Sequence, residues 1–165
     1  MPTRLPTGSR RAAEPPAPGY LSAGDLPDLN VWLALSVDNH VHYERARRYW
    51  REEGARAPAV HFCRVTMLGL LRLLTQPKLM GPSVCSPEDA AGRYQALRAL
   101  PEVRLAPEPS KCEETLLAYA RAPRFVPRLW TDAYLAAFAR CAGLRLVTFD
   151  ADFARFDGLD FMALE

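Results

Sequence analysis

Trp130-Thr131-Asp132-Ala133-Tyr134-Leu135-Ala136-Ala137-Phe138-Ala139-Arg140-Cys141-Ala142-Gly143-Leu144-Arg145-Leu146-Val147-Thr148-Phe149-Asp150 is the stretch on which the fold class turns. Thr131 is placed to cap a helix over Asp132–Ala142, and Gly143 supplies a left-handed stop. Almost at once Arg145–Thr148 reads as a short buried strand, and Asp150–Phe153 as a turn or short helix beyond it. A helix that returns the chain directly into an apolar strand is half of a parallel crossover unit.

The same alternation extends outward in both directions. Leu26-Pro27-Asp28 reads as a strand end that runs into a helix over Asn30–Leu35, and His40–Glu53 reads as a charged helix closed by Gly54. Ala59–Cys63 is short and apolar enough for a buried strand, followed by a buried helix over Arg64–Leu74 with Val65, Leu68, Leu71 and Leu74 on related faces. Ser86-Pro87-Glu88-Asp89 carries a cap, a first-turn proline and two acids ahead of a helix through Ala90–Leu100. Val103–Leu105 is a strand candidate, Ser110-Lys111-Cys112-Glu113 a capping box for a helix to Arg121, and Phe161–Leu164 a last strand. Strands separated by helices predict an α/β fold with a mainly parallel central sheet flanked by helices on both faces.

The chain has 165 residues, about half of them apolar, enough for one core. Its formal charge is +2, which excludes an acidic solvating chain or a strongly basic nucleic-acid coat. That charge lies wholly in the first 24 residues, which hold five prolines, Arg4, Arg10, Arg11 and Glu14; residues 25–165 are formally neutral. Residues 1–20 are expected to be a disordered Pro/Arg-rich extension, and 21–165 the folded domain. No apolar run approaches the ~20 residues that cross a bilayer. Cys63, Cys85, Cys112 and Cys141 lack metal-ligand spacing and read as buried apolar residues of a reducing, cytoplasmic protein.

Acids fall where a parallel sheet collects functional groups, beyond the carboxyl ends of its strands. Asp28 follows the first strand, Asp150 and Asp152 follow the strand ending at Thr148, and Asp132 lies in a first helical turn. Each has a structural reading as a turn former or cap. Brought together they would suit a hard divalent ion, Mg²⁺ or Mn²⁺, and would repel one another without it. Arg64, Arg72, Arg124 and Arg128 are candidates for flanking phosphates and Phe125 and Trp130 for base stacking, with surface and packing roles as the plainer readings. His40, His42 and His61 are assigned structural roles, the first pair because residues two apart on a helix do not share a face.

Four blocks carry a family resemblance: Leu26–Leu35, Thr66–Pro77, Trp130–Ala137 and Leu146–Phe153. In this order they resemble PIN-domain ribonucleases of the VapC toxin type. The resemblance implies a PIN-like three-layer α/β/α fold and Mg²⁺- or Mn²⁺-dependent RNA cleavage. It implies Asp28, Asp132 and Asp150 as metal-binding acids, Asp152 as helper, and Asn30 and Thr148 as residues that orient them. It further implies a cognate antitoxin and a homodimer. One position departs from the pattern: Met67 stands where many relatives carry Glu, and no acid lies between Glu53 and Glu88. Two alternatives follow, a catalytically weakened domain that binds RNA or protein, and an aspartyl-phosphate phosphohydrolase, for which Asn30 replaces the usual second acid.

Overall fold

A computed structural model describes residues 23–54 and 56–165; the expected N-terminal extension lies outside the described residues. Five short strands, β1 (Asp25–Pro27), β2 (Val60–Phe62), β3 (Val103–Leu105), β4 (Arg145–Thr148) and β5 (Phe161–Ala163), form one sheet in the order β3-β2-β1-β4-β5. Every pairing is parallel, so the expected mainly parallel sheet is parallel throughout the described residues. From β1 the chain winds outward to β2 and β3, then returns to place β4 on the other flank. The reversal puts a crevice at the carboxyl ends of β1 and β4.

Alternating strand residues serve the two faces. Leu146 packs toward α6 (Cys112–Ala120) and α7 (Trp130–Ala142), whereas Val147 packs with Val31 of α1 (Leu29–Ser36) and Tyr49 of α2 (Tyr43–Tyr49). On that second face α3 (Arg64–Leu74) and α5 (Pro87–Arg98) cover β2 and β3. A single turn, α4 (Pro77–Met80), joins α3 to the segment leading to α5. The result is the anticipated three-layer α/β/α arrangement. Trp32 of α1 stacks on Phe62 of β2 with ring centroids 3.7 Å apart, and both are fully buried. Gly69 lets α3 approach α1: a Cβ there would lie 2.7 Å from a methyl of Leu29. Gly24, at φ +140°, lets the chain enter β1 against the Ala59 carbonyl, which a Cβ would meet at 2.2 Å.

Several local expectations need correction. The charged helix starts at Tyr43, because His40–His42 form a turn, and it ends in a wider π-type turn over Trp50–Gly54. Ser110 does not cap α6: Lys111 adopts a left-handed conformation (φ 68°), which turns the chain before Cys112 and leaves the capping box unformed. Thr131 lies inside α7, which opens at Trp130 directly from a 3₁₀ turn over Pro127–Leu129. Leu68 is 60% exposed, since Thr66, Gly69, Leu70 and Leu74 form the buried face of α3. Cys63, Cys85 and Cys112 are buried free thiols, and Cys141 is half-buried.

Candidate active site

Asp28 occupies the junction of β1 and α1. Its backbone N–H donates to the Val147 carbonyl at 2.7 Å, which locks the end of β1 against β4. As N-cap of α1 it accepts from the Leu29 N–H, a normal role for aspartate at a helix start. Its other carboxylate oxygen accepts from the Thr148 hydroxyl at 3.1 Å.

Thr148, fully buried at the end of β4, is a junction. Its oxygen accepts from the Asn30 side-chain amide at 3.3 Å and from the Asp150 N–H at 3.0 Å while donating to Asp28. One hydroxyl thus ties α1, β1 and the segment after β4 into a single geometry. Asp150 then caps the short 3₁₀ turn Ala151–Arg155, accepting from the Asp152 N–H at 2.8 Å. Asp132 enters from the first turn of α7. Asp132, Asp150 and Asp152 line one cavity of about 240 Å³ with Arg128 and Arg155, over Leu129, Phe153 and Phe156.

Burial and neighbouring charge shift two of these acids. Burial raises the Asp28 carboxyl pKa to about 6; hydrogen bonds from Leu29 and Thr148 oppose the shift, and the charges of Asp132 and Asp150 add to it. Asp132 is also raised, first by burial and then by Asp150, against the pull of Arg155 and Arg128. Asp28 itself is not on the lining of that cavity; it is tied to Asp150 through Thr148, and the charges of Asp132 and Asp150 are the smallest contributions to its shift. Among the described residues no three acid, His or Cys side chains close into a ready-made metal cage. A magnesium ion usually keeps several waters and takes one or two protein carboxylates directly, so the remaining acids of such a site act on it through water. A buried acid raised chiefly by desolvation, with further acids nearby, is chemically suited to such a cation.

The other sequence candidates are less concentrated. Arg128 lines the acidic cavity. Arg64 opens α3 and is exposed; Arg72 is exposed a further ~12 Å along that helix axis. Arg124 lies on a neighbouring groove. Trp130 is 46% exposed and meets Phe125 edge-on at 4.8 Å. Met67 is half-buried against the core beneath α1 and α3.

None of the three histidines lines the acidic cavity. His61 Nδ1 lies 3.2 Å from the Asp25 carbonyl, near the opposite edge of the sheet. His40 and His42 do approach, with ring centroids 5.7 Å apart, because they lie in a turn rather than on a helix. Sequence reasoning misses Arg155. Its one signal is the three-residue spacing from Asp152, to which it pairs at 3.1 Å.

Comparison with known proteins agrees with this architecture. The family model for the PIN domain matches residues 26–159. Ribonuclease VapC41 of Mycobacterium tuberculosis is 38% identical over 143 residues, covering 84% of this chain and 97% of that protein. Ribonuclease VapC38 of the same organism is 37% identical over 128 residues, covering 76% and 84%. In fold, the chain is similar to M. tuberculosis VapC20, a Sarcin-Ricin loop cleaving toxin, with TM-score 0.60, 22% identity and coverage of 78% and 92%. It is also similar to VapBC2 from Rickettsia felis, solved bound to a DNA fragment from their promoter, with TM-score 0.60, 11% identity and coverage of 85% and 98%. The chain belongs to the PIN-domain family, among the VapC ribonucleases.

Proposed function

We propose that this protein is a divalent-metal-dependent endoribonuclease, the toxin of a toxin–antitoxin pair. One observation carries the reading: Asp132 and Asp150 line one cavity, and the Thr148 hydroxyl ties Asp28 to the Asp150 backbone, at the crevice where the sheet's winding reverses. In the proposed site Asp28 and Asp132 would hold Mg²⁺ or Mn²⁺, with Asp150 reaching the ion through water and Asp152 as helper. When bound, the ion supplies an acidified water and neutralises charge on the scissile phosphate, yielding 3′-hydroxyl and 5′-phosphate products.

The protein's own groups do the positioning. Thr148 fixes the Asp28 carboxylate relative to the Asp150 backbone, and Asn30 supports Thr148 from α1. Arg128 and Arg155 face the same cavity and supply donors for phosphate oxygens. Arg64, Arg72 and Arg124 are assigned to more distant phosphates. Absence of an acid at Met67 favours one ion over two, because each carboxylate removed weakens divalent binding. The proposed partners are RNA, an antitoxin that covers the crevice, and a second copy of the chain.

Incubation of the purified protein with single-stranded RNA and Mg²⁺ should give cleavage that EDTA stops. Asp28→Asn and Asp132→Asn should each lower the rate at least ~100-fold. Unchanged cleavage in both variants would remove the site assignment. Metal-independent RNA binding without cleavage would favour the binding-module alternative.

A further inference from the structure

A second and larger groove, about 790 Å³, adjoins the acidic cavity and shares Leu129, Arg155 and Phe156 with it. Its walls come from the C-terminal end of α6, the loop leading to α7, and α7 itself. Arg121, Arg124 and Arg140 line it, all exposed. Among the described residues none of the three belongs to an ion pair. Arg140 is nonetheless held in place, donating to the Asp157 carbonyl at 2.9 Å and lying near the Tyr119 hydroxyl at 3.5 Å. The half-buried ring of Phe125 lines the same groove.

These observations define what would fit. Among the described residues the only acid on the lining is Asp157, so three unpaired guanidinium groups and Arg155 leave the groove strongly cationic. Guanidinium forks match phosphate oxygens, and an aromatic face accepts any unstacked base. The acidic cavity next door is where the scissile phosphate would lie. A strand leaving it across the shared wall of Leu129 and Phe156 would enter the cationic groove with its next phosphates. A duplex does not present free bases to such a ring.

We propose that this groove is a single-stranded RNA subsite, in which Arg121, Arg124 and Arg140 bind the phosphates of nucleotides flanking the scissile bond. The proposal rests on the ribonuclease reading and deepens it: the acids cut, and the groove sets how long a substrate must be. An acidic protein segment is the competing occupant.

The test compares a short oligoribonucleotide with one extended by several nucleotides on either side, using wild-type protein and the double variant Arg121→Gln, Arg140→Gln. Glutamine keeps most of the apolar stem and removes the charge. Cleavage kinetics and fluorescence-anisotropy binding are measured with Mg²⁺, and circular dichroism confirms that the variant is folded. The expected result is a rise of roughly tenfold or more in KM for the extended RNA, with kcat and cleavage of the short RNA within about twofold. The salt dependence of binding should also become shallower, by about one in the log–log slope for each phosphate no longer neutralised. Equal KM and equal salt slope in a folded variant overturn the subsite while wild-type cleavage leaves the ribonuclease reading intact. The subsite is likewise overturned if the variant keeps its RNA affinity but loses binding to a poly-glutamate peptide. A wild-type protein that neither binds nor cuts RNA overturns both readings.

Discussion

The two ends of the sheet carry buried acids in opposite circumstances. At the amino edge, Asp25 opens β1 and is fully buried, gripped by both arms of Arg145 at 2.9 Å and by the Tyr49 hydroxyl at 2.8 Å. Glu53 adds a longer contact to the same arginine at 3.7 Å. At the carboxyl edge, ~10 Å further along β1, Asp28 has hydrogen-bond donors but pairs with no arginine or lysine among the described residues, and burial and its acidic neighbours push its pKa up. The first acid has its counter-charge in the protein. The second leaves its charge uncompensated by the protein, which suits a metal site and not a structural pair.

The strongest way to break this contrast is to remove the cation at the amino edge. Arg145→Met should leave Asp25 buried without compensation and cost about 3–5 kcal/mol, read as a lower urea midpoint. The Tyr49 hydroxyl alone cannot replace the arginine: burial and Asp25 push its pKa well above the ordinary value, so it remains a neutral donor and brings no counter-charge. The double variant Arg145→Met, Asp25→Asn should recover part of the loss. A single variant as stable as wild type would show that the pair is not structural.

Asp28→Asn should act in the opposite direction. The folded-state pKa of Asp28, about 6 against an ordinary 3.8, means that the folded protein binds this proton more tightly than the unfolded chain. Stability from this group is therefore present at low pH and is lost as pH rises from about 4 through about 6. The loss is roughly 3 kcal/mol at most, from about 1.4 kcal/mol per pKa unit. Asparagine keeps the cap through its one oxygen but turns an amide donor toward the Thr148 hydroxyl and loses that hydrogen bond at every pH, so the expected signature is a metal-free variant that gains stability relative to wild type between pH 4 and a pH above 6. Thermal unfolding in EDTA at both pH values checks this. A variant that stands no better against wild type at pH 7 than at pH 4 would mean that Asp28 is held as a structural acid.

Thr148→Val should cost less, about 1–3 kcal/mol, by stranding the polar groups that share its hydroxyl. It should also lower kcat on RNA more than it raises KM, because the acids would persist but lose their alignment. An unchanged kcat in a folded Thr148→Val protein would remove the positioning role.

The parallel sheet is legible in the sequence because its strands are short apolar runs bounded by explicit helix stops, as at Gly143 before Arg145–Thr148. Asp28, Asp150 and Asp132 are legible by position, since carboxyl ends of parallel strands are where a chain displays chemistry. The link between Asp28 and Asp150 is not, because it runs through Thr148, whose contact with Asn30 spans 118 residues. Asp25 gives no sign of its burial, which its neighbours on β4 and α2 create. In α3 the helix bounds are readable, but apolar residues on nearly every side hide which face is core, and Leu68 falls outside it. At Ser110 the capping pattern is present but gives way to the left-handed turn at Lys111.

The smallest expected effect sharpens the contrast most closely, because it repeats the pairing of the amino edge with burial removed. Asp152 and Arg155 meet at 3.1 Å at the carboxyl edge, but their side chains are 67% and 36% exposed. Water screens such a pair, and ordering two long side chains offsets much of its attraction. Asp152→Asn should therefore shift stability by less than about 0.5 kcal/mol, against several for Arg145→Met. If Asp152 only helps the other acids, its removal should also weaken Mg²⁺ binding less than Asp132→Asn does, as read by calorimetric titration. A stability loss comparable to that of Arg145→Met would mean that burial does not set the value of these pairs. The distinction between the two edges would then rest only on the uncompensated charge of Asp28.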